Sequence, residues 1–300
     1  MNKRNLCVIL NYNDYDNTIK YLNMVKRFVS YDYIVVVDNC STDDSYERLK
    51  AVSTDKVSVV KTASNGGYAS GNNFGIKYGI EHYGIVDYIT ISNHDIEITD
   101  DGILKLLETL NANSNLSQVS GVICDKDYRV RTDFAWKQRR YSDLLQESLP
   151  MYNRISIATS SHDRRYKREL IENCKIMGVD VIPGCFFIFR HDAFEEIGYF
   201  STDTFLYIEE DFIAYKMKQR NMKAAIATDV RIAHYGGTST KKNIRNYWVK
   251  EAIVLKSKQK YLEVCLRCNR AQYVLFNACS YIGIVERIVF KFFRDLLNKA

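Results

Sequence analysis

Five short apolar runs punctuate the first half of the chain, at 6–10, 33–37, 57–61, 88–92 and 118–124. Each is rich in Val and Ile and stops at polar or glycine residues, the pattern of strands buried on both faces. Helical spacing fills the gaps. Ile19, Leu22, Val25 and Phe28 recur within 18–29, and Ser41-Thr42-Asp43-Asp44 is a start signal for a helix over 45–52. Residues 74–82 and 100–110 complete the series. Strands alternating with helices at this interval predict an α/β fold built on a mainly parallel, doubly wound sheet.

The pattern then breaks. Residues 125–175 are polar and poorly periodic, with basic side chains from Arg129 to Arg168. They read as an insertion over the site, partly mobile. Order returns with a strand over 179–190 through Gly184, a short helix over 193–197, a helix over 210–220 opened by acids, and a strand over 224–226. Helical pattern covers 247–268 and 271–297. The chain therefore divides into a large unit over 1–240, its insertion at about 125–178, and a C-terminal helical appendage over 241–300.

Composition narrows the class. Apolar residues make up 46% of the 300 and charged residues 26%, which excludes a disordered, collagen-like or polytopic membrane protein. The net charge of +6 is too mild for a nucleic-acid partner. Positive charge gathers in 241–300, which suits an anionic membrane surface or polyanionic substrate, or a solvated face. Eight cysteines are scattered, and the lone Cys265-x-x-Cys268 pair lacks the second ligand pair of a zinc site. That usage fits a reducing compartment. The run 6–10 is too short for a secretory leader. The stretch 273–285, interrupted by Asn277 and Ser280, falls short of a membrane span. The expected location is cytoplasmic, with peripheral contact at the inner face of the plasma membrane.

Ligands of such sheets sit at the carboxyl ends of the strands, and three polar clusters fall there: 11–13, 38–43 and 93–95. Asp38 can accept from a base or ribose, or cap the next helix. Asn65-Gly66-Gly67-Tyr68-Ala69-Ser70-Gly71-Asn72-Asn73 is a glycine-dense segment matching neither a dinucleotide fingerprint nor a Walker loop. Asp95, just past a buried strand, can bind a hard divalent cation; His94 beside it is a ligand or a turn residue. Glu209-Glu210-Asp211 open a helix, where they complement its dipole and crowd one another. A carboxylate raised in this way is a candidate general base. His234 precedes a Gly-Gly-Thr-Ser loop suited to anion contact.

The order of these clusters resembles the family 2 glycosyltransferases of the GT-A fold, and within them the rhamnosyltransferase-like members that build bacterial surface polysaccharides. The resemblance runs from Leu6 to about Ser239. It rests on Val36-Val37-Asp38-Asn39-Cys40-Ser41-Thr42-Asp43, the 65–73 loop, Asn93-His94-Asp95 in place of Asp-x-Asp, the Gly184 to Gly198 segment, Glu209-Glu210 in place of Glu-Asp, and the late His234. It implies that Asn11, Asn13 and Asp38 hold the base and ribose of a UDP or dTDP donor. Asn65, Gly66, Gly71 and Asn93 would shape the nucleotide cleft, and Gly184 and Glu209 would lie on the sugar side. Asp95 would bind Mn²⁺ or Mg²⁺, with His234 completing the site. Glu210 would be the base, with Asp211 competing for the role.

Such a site would displace a nucleoside diphosphate with a metal neutralising the leaving charge. One carboxylate would deprotonate the acceptor hydroxyl from the opposite face, inverting the anomeric centre. The basic insertion would meet a phosphorylated or acidic acceptor, such as a glycan or lipid-linked sugar, or remain a solvated surface. The rival readings are a nucleotidyltransferase and a non-catalytic sugar-nucleotide-binding module. The C-terminal apolar face, with Val285, Ile288, Val289, Phe292, Phe293 and Leu296 flanked by Arg287, Lys291, Arg294 and Lys299, suits a membrane surface, the protein's own core or a homodimer partner.

Overall fold

The computed structural model describes residues 3–159, 163–236 and 246–297, with side chains as far as 290. Strands β1 (Asn5–Asn11), β2 (Tyr33–Asp38), β3 (Val57–Lys61) and β4 (Tyr88–Ser92) pair in parallel in the order β3-β2-β1-β4. Leu6 to Ile9 and Ile34 to Val37 are fully buried. Helices cover both faces of these strands, so their apolar runs are continuous rather than alternating. Helices α1 (Tyr15–Val25), α2 (Ser45–Lys50) and α3 (Gly67–Tyr83) connect them.

Beyond β4 the sheet becomes mixed. β8 (Phe186–Arg190) runs antiparallel to both β4 and β6 (Leu116–Cys124). β6 pairs in parallel with β9 (Lys223–His234), whose other edge takes β5 (Ile96–Glu97) and β7 (Ile176–Val179), both antiparallel. The nine-stranded sheet reads β3-β2-β1-β4-β8-β6-β9-β5, with β7 also on β9. α4 (Asp100–Ala112) lies between β5 and β6; Thr99 caps it by accepting from the Gly102 N–H at 3.1 Å. These directions bring the ends of β1, β2, β4 and β9 to the edge of the sheet where β8 begins. The polar clusters at 11–13, 38–43 and 93–95, together with Gly184 and His234, share that edge.

The structure revises several expectations. The run 179–190 is not one strand: it takes in the last residue of β7 and the whole of β8, and between them Asp180 and Pro183 break the pattern and Gly184 sits in a loop. The short strand at 224–226 extends to twelve residues. The insertion carries α5 (Tyr141–Ser148), α6 (Pro150–Ala158) and α7 (Glu169–Glu172); α8 (His191–Glu196) and α9 (Glu209–Lys218) follow β7 and β8. The C-terminal helices α10 (Tyr247–Val264) and α11 (Arg270–Leu297) share a core with α5 and α9. Leu144, Phe212, Tyr261 and Phe276 are fully buried there. Burying each such side chain is worth about 2 kcal/mol, so α9 is anchored from the C-terminal side as well as by the sheet.

Candidate active site

At the β1 and β2 ends the polar side chains hold one another. Asp38 is fully buried. Its carboxylate accepts from the Ser41 N–H at 2.9 Å and from the Asn11 amide at 2.8 Å, and the Asn11 carbonyl accepts from the Thr18 hydroxyl at 2.8 Å. Asn13, in the left-handed region with φ 51°, accepts from the Thr42 N–H at 2.8 Å. Asn11 and Asp38 therefore fix the shape of the strand-end loops, and of the expected nucleotide set here Asn13 is the more exposed.

The glycine-dense segment is mostly helix. Only Asn65 and Gly66 precede α3, with Gly66 at its N-cap. Asn65 accepts from the Gly67 N–H and the Asn39 amide, both at 3.0 Å. Gly67 has φ +88°, and a Cβ there would lie 1.9 Å from the Phe205 carbonyl oxygen. Gly71 faces the sheet rather than a ligand: its Cβ would meet Leu10 at 2.5 Å. Gly75 and Gly79 continue that contact against Val8, Val37 and Leu6, so the glycines bring α3 down onto the strands. Tyr68, not among the expected residues, donates to the Gly184 carbonyl at 2.6 Å and reaches the Asn93 side chain at 3.4 Å.

Asp95 and His234 meet, as the sequence led us to expect. His234 pairs with Ile96 at the end of β9, which puts its Nε2 3.4 Å from Asp95 Oδ1. Nε2 is buried, and among the described residues it makes no hydrogen bond of good geometry beyond this long contact to Asp95. Burial disfavours the imidazolium, but Asp95 and the Cys185 thiol outweigh it and lift the His234 pKa to about 10. The pocket thus favours a positive charge. One carboxylate and one imidazole are suitable donors for a divalent cation such as Mn²⁺. Among the described residues no group of three or more His, Cys, Asp or Glu side chains could hold a metal, so further ligands would come from a bound diphosphate or water. His94 is not a ligand in this arrangement: its ring bonds the Leu10 carbonyl and the Asp14 carboxylate, each at 3.0 Å.

The acids opening α9 diverge. Tyr207 and Ile208 both adopt φ 73°, strain of roughly 1–3 kcal/mol per residue that the packed core sustains. That turn sends Glu210 to the sheet edge, where it accepts from the Gly184 N–H at 3.0 Å. Burial and the Asp211 charge push the Glu210 carboxyl above its usual range, although backbone N–H groups act against them. Asp211, 1% exposed, turns away to Arg139 and Arg164, both at 3.7 Å. These arginines also hold Glu147, which meets Lys258 at 3.0 Å. Burial would raise Glu147, but Arg139, Lys258 and Arg164 hold it at about 2. The two acids therefore have different surroundings: Glu210 is held at the Gly184 N–H, and Asp211 is a buried counter-ion of Arg139 and Arg164.

The glycosyl transferase family 2 model matches residues 7–198, about two thirds of the chain. The chain belongs to glycosyl transferase family 2. A curated relative, the low-salt glycan biosynthesis hexosyltransferase Agl10 of Haloferax volcanii, is 24% identical over 215 residues, 72% of this chain. The chain spans only 62% of that relative's length. Two solved structures share the fold, each with TM-score 0.57. One is the mannosyltransferase PcManGT of Pyrobaculum calidifontis, in complex with GDP-Man and Mn²⁺, at 16% identity, covering 94% of this chain and 70% of that one. The other is GalNAc-T7 with UDP, GalNAc and Mn²⁺, at 15% identity, covering 77% and 44%.

In this family 2 domain several residues that touch the candidate site were not anticipated from the sequence. Tyr68 lay inside the quoted loop but carried no assigned role. Cys185 sits between Gly184 and the sheet, accepting on its carbonyl from the Asn93 N–H at 2.8 Å while its thiol faces His234. Arg139 and Arg164 belonged to the basic insertion expected to meet an acidic acceptor or solvent, and Glu147 carried no expectation; the structure commits them instead to a largely buried ion-pair network. Their partners Asp211 and Lys258 are far along the chain, so spacing offered no signal.

Proposed function

We propose that the protein is an inverting glycosyltransferase that moves a sugar, in the hexosyl or rhamnosyl class, from a UDP- or dTDP-sugar to a hydroxyl of a glycan or lipid-linked acceptor. The observation that carries this reading is the Gly184-Cys185 dipeptide. Its first N–H holds the Glu210 carboxylate, and its thiol faces His234 of the Asp95–His234 pair. A carboxylate of raised proton affinity and a cation-favouring pair are thereby held beside one short loop, the two requirements of this displacement.

Glu210 takes the acceptor hydroxyl proton as the oxygen attacks. A positioned base of this kind is worth ~10²–10⁴-fold. Asp95 and His234 would hold Mn²⁺ or Mg²⁺, which when bound neutralises charge on the departing diphosphate. Asn13, Asn65 and Gly66 border the nucleotide, while Asn11 and Asp38 keep the loops in shape. Mn²⁺ in the two structures of like fold and the hexosyltransferase name of the relative support the reading. The motif order supports the narrower role in bacterial surface polysaccharide synthesis on the cytoplasmic side.

A panel of UDP- and dTDP-hexoses, incubated with and without Mn²⁺, tests it. The expected result is metal-dependent release of nucleoside diphosphate from one donor, with transfer to an added acceptor giving the opposite anomer by NMR. Release that ignores EDTA, or a product of retained configuration, would overturn the mechanism.

A further inference from the structure

α11 presents two unlike faces. One packs on the insertion: Phe276 is fully buried, Gly283 lies so close to the Ser148 carbonyl that a Cβ would sit 1.8 Å from it, and Glu286 accepts from the Met151 N–H at 3.0 Å. The other is apolar and open. Val274, Tyr281, Ile282, Val285, Ile288 and Val289 are between 44% and 68% exposed. At 100° per residue they share one arc of the helix. That stripe carries no charge from 271 to 285. The expectation that this stretch falls short of a span is corrected: 270–290 is long and apolar enough to cross a membrane, with 17% of its most apolar window buried.

Charge identifies the occupant. Residues 241–300 hold thirteen Lys and Arg against four Asp and Glu, a balance of +9 in a chain whose total is +6. A second copy laid on the stripe would bring two such cationic regions together. A bilayer bearing anionic headgroups would neutralise them. Spanning conflicts with the contacts on the packed face. Upright insertion would pull Glu286 from the Met151 N–H and Arg287 from Glu251 on α10, and draw both charges into the membrane without partners.

We propose that α11 lies in the plane of an anionic membrane, with the 274–289 stripe in the acyl boundary and the basic groups at the headgroups. The surface adjoins the catalytic unit: α5, on which α11 packs, carries Glu147, tied through Arg139 and Arg164 to Asp211 next to the base. This placement deepens the transferase reading, which it needs only for the acceptor: it selects a lipid-linked one.

Flotation of the full chain with phosphatidylcholine vesicles, with and without phosphatidylglycerol, tests it. The expected result is co-flotation with the phosphatidylglycerol vesicles alone, weakening at high salt. The exposed double variant V285E/I288E should stay at the bottom while its urea unfolding matches wild type. An Ile282→Trp probe should shift its emission to the blue only with anionic vesicles. A wild-type protein that stays soluble with both vesicles at low salt overturns the proposal. So does a dimer in sedimentation that V285E/I288E dissociates, which would assign the stripe to a second copy. Neither readout involves donor turnover, so failure of the transferase reading would show separately.

Discussion

The Glu210 carboxylate accepts from the Gly184 N–H at 3.0 Å, and a Cβ at 184 would lie 2.8 Å from its Oε1. Position 184 can hold the Glu210 carboxylate this way only because it has no side chain. Gly184→Ala should push the carboxylate off its place while leaving the strand-end loops intact. A displacement on the ångström scale costs ~10²-fold in turnover. Transfer kinetics with donor affinity measured in parallel check this; unchanged turnover would mean that the Gly184 contact does not position the base.

The cation site makes a second expectation concrete. Asp95→Asn and His234→Ala should each weaken Mn²⁺ binding at least tenfold in the presence of UDP, read by calorimetry. The first removes the carboxylate charge and the second the imidazole from this pair. His94→Ala is the control for ring loss at this end of the sheet, since its ring is committed to Leu10 and Asp14. It should lower stability and leave the Mn²⁺ affinity of the folded protein near wild type.

The parallel half of the fold was legible because strands buried on both faces spell unbroken apolar runs, and the runs of β1, β2 and β4 each end in a polar cluster at the candidate site edge. The mixed half was less so. β5 has two residues, too few for a period. The 179–190 run conceals a loop because Val181, Ile182 and Cys185 are apolar for packing reasons, all nearly buried. α3 begins inside a glycine-dense segment whose helix propensity is poor; contact with Leu6, Val8 and Val37 overrides it. Asp95, His234 and Glu210 were singled out by motif order. What each touches was not, because Cys185, Gly184 and Arg139 reach them from separate segments.

Stability should depend on pH through Glu209. It is 5% exposed, one carboxylate oxygen has no partner among the described residues, and burial together with the Glu210 charge raises its pKa to about 8 from an ordinary 4.5. Over that interval the folded protein holds a proton that the unfolded chain releases. Its contribution is therefore complete below the ordinary value and is lost as pH rises through the raised one. Glu209→Gln should flatten the loss, gaining on the order of 2 kcal/mol above about pH 8. Urea unfolding of both proteins near pH 5 and near pH 9 measures it. Equal slopes for the two would show that Glu209 ionises without penalty.

Glu210 and Asp211 are adjacent, and their variants should fail in different ways. Glu210→Gln keeps the Gly184 contact, since the amide oxygen can accept the same N–H, but it cannot take a proton. Turnover should fall by ~10²–10⁴ with donor affinity and folding unchanged. Asp211→Asn removes a buried counter-ion from Arg139 and Arg164, leaving Glu147 as the remaining acid in direct ion pairs with both arginines and Lys258 among the described residues. Breaking a buried pair from one side costs about 3 kcal/mol, so this variant should unfold at lower urea. Its folded fraction should retain a working base. The decisive comparison is turnover per folded molecule. If Asp211→Asn is inactive at full stability while Glu210→Gln works, the proton goes to Asp211, and α9 must turn by one residue when substrate binds.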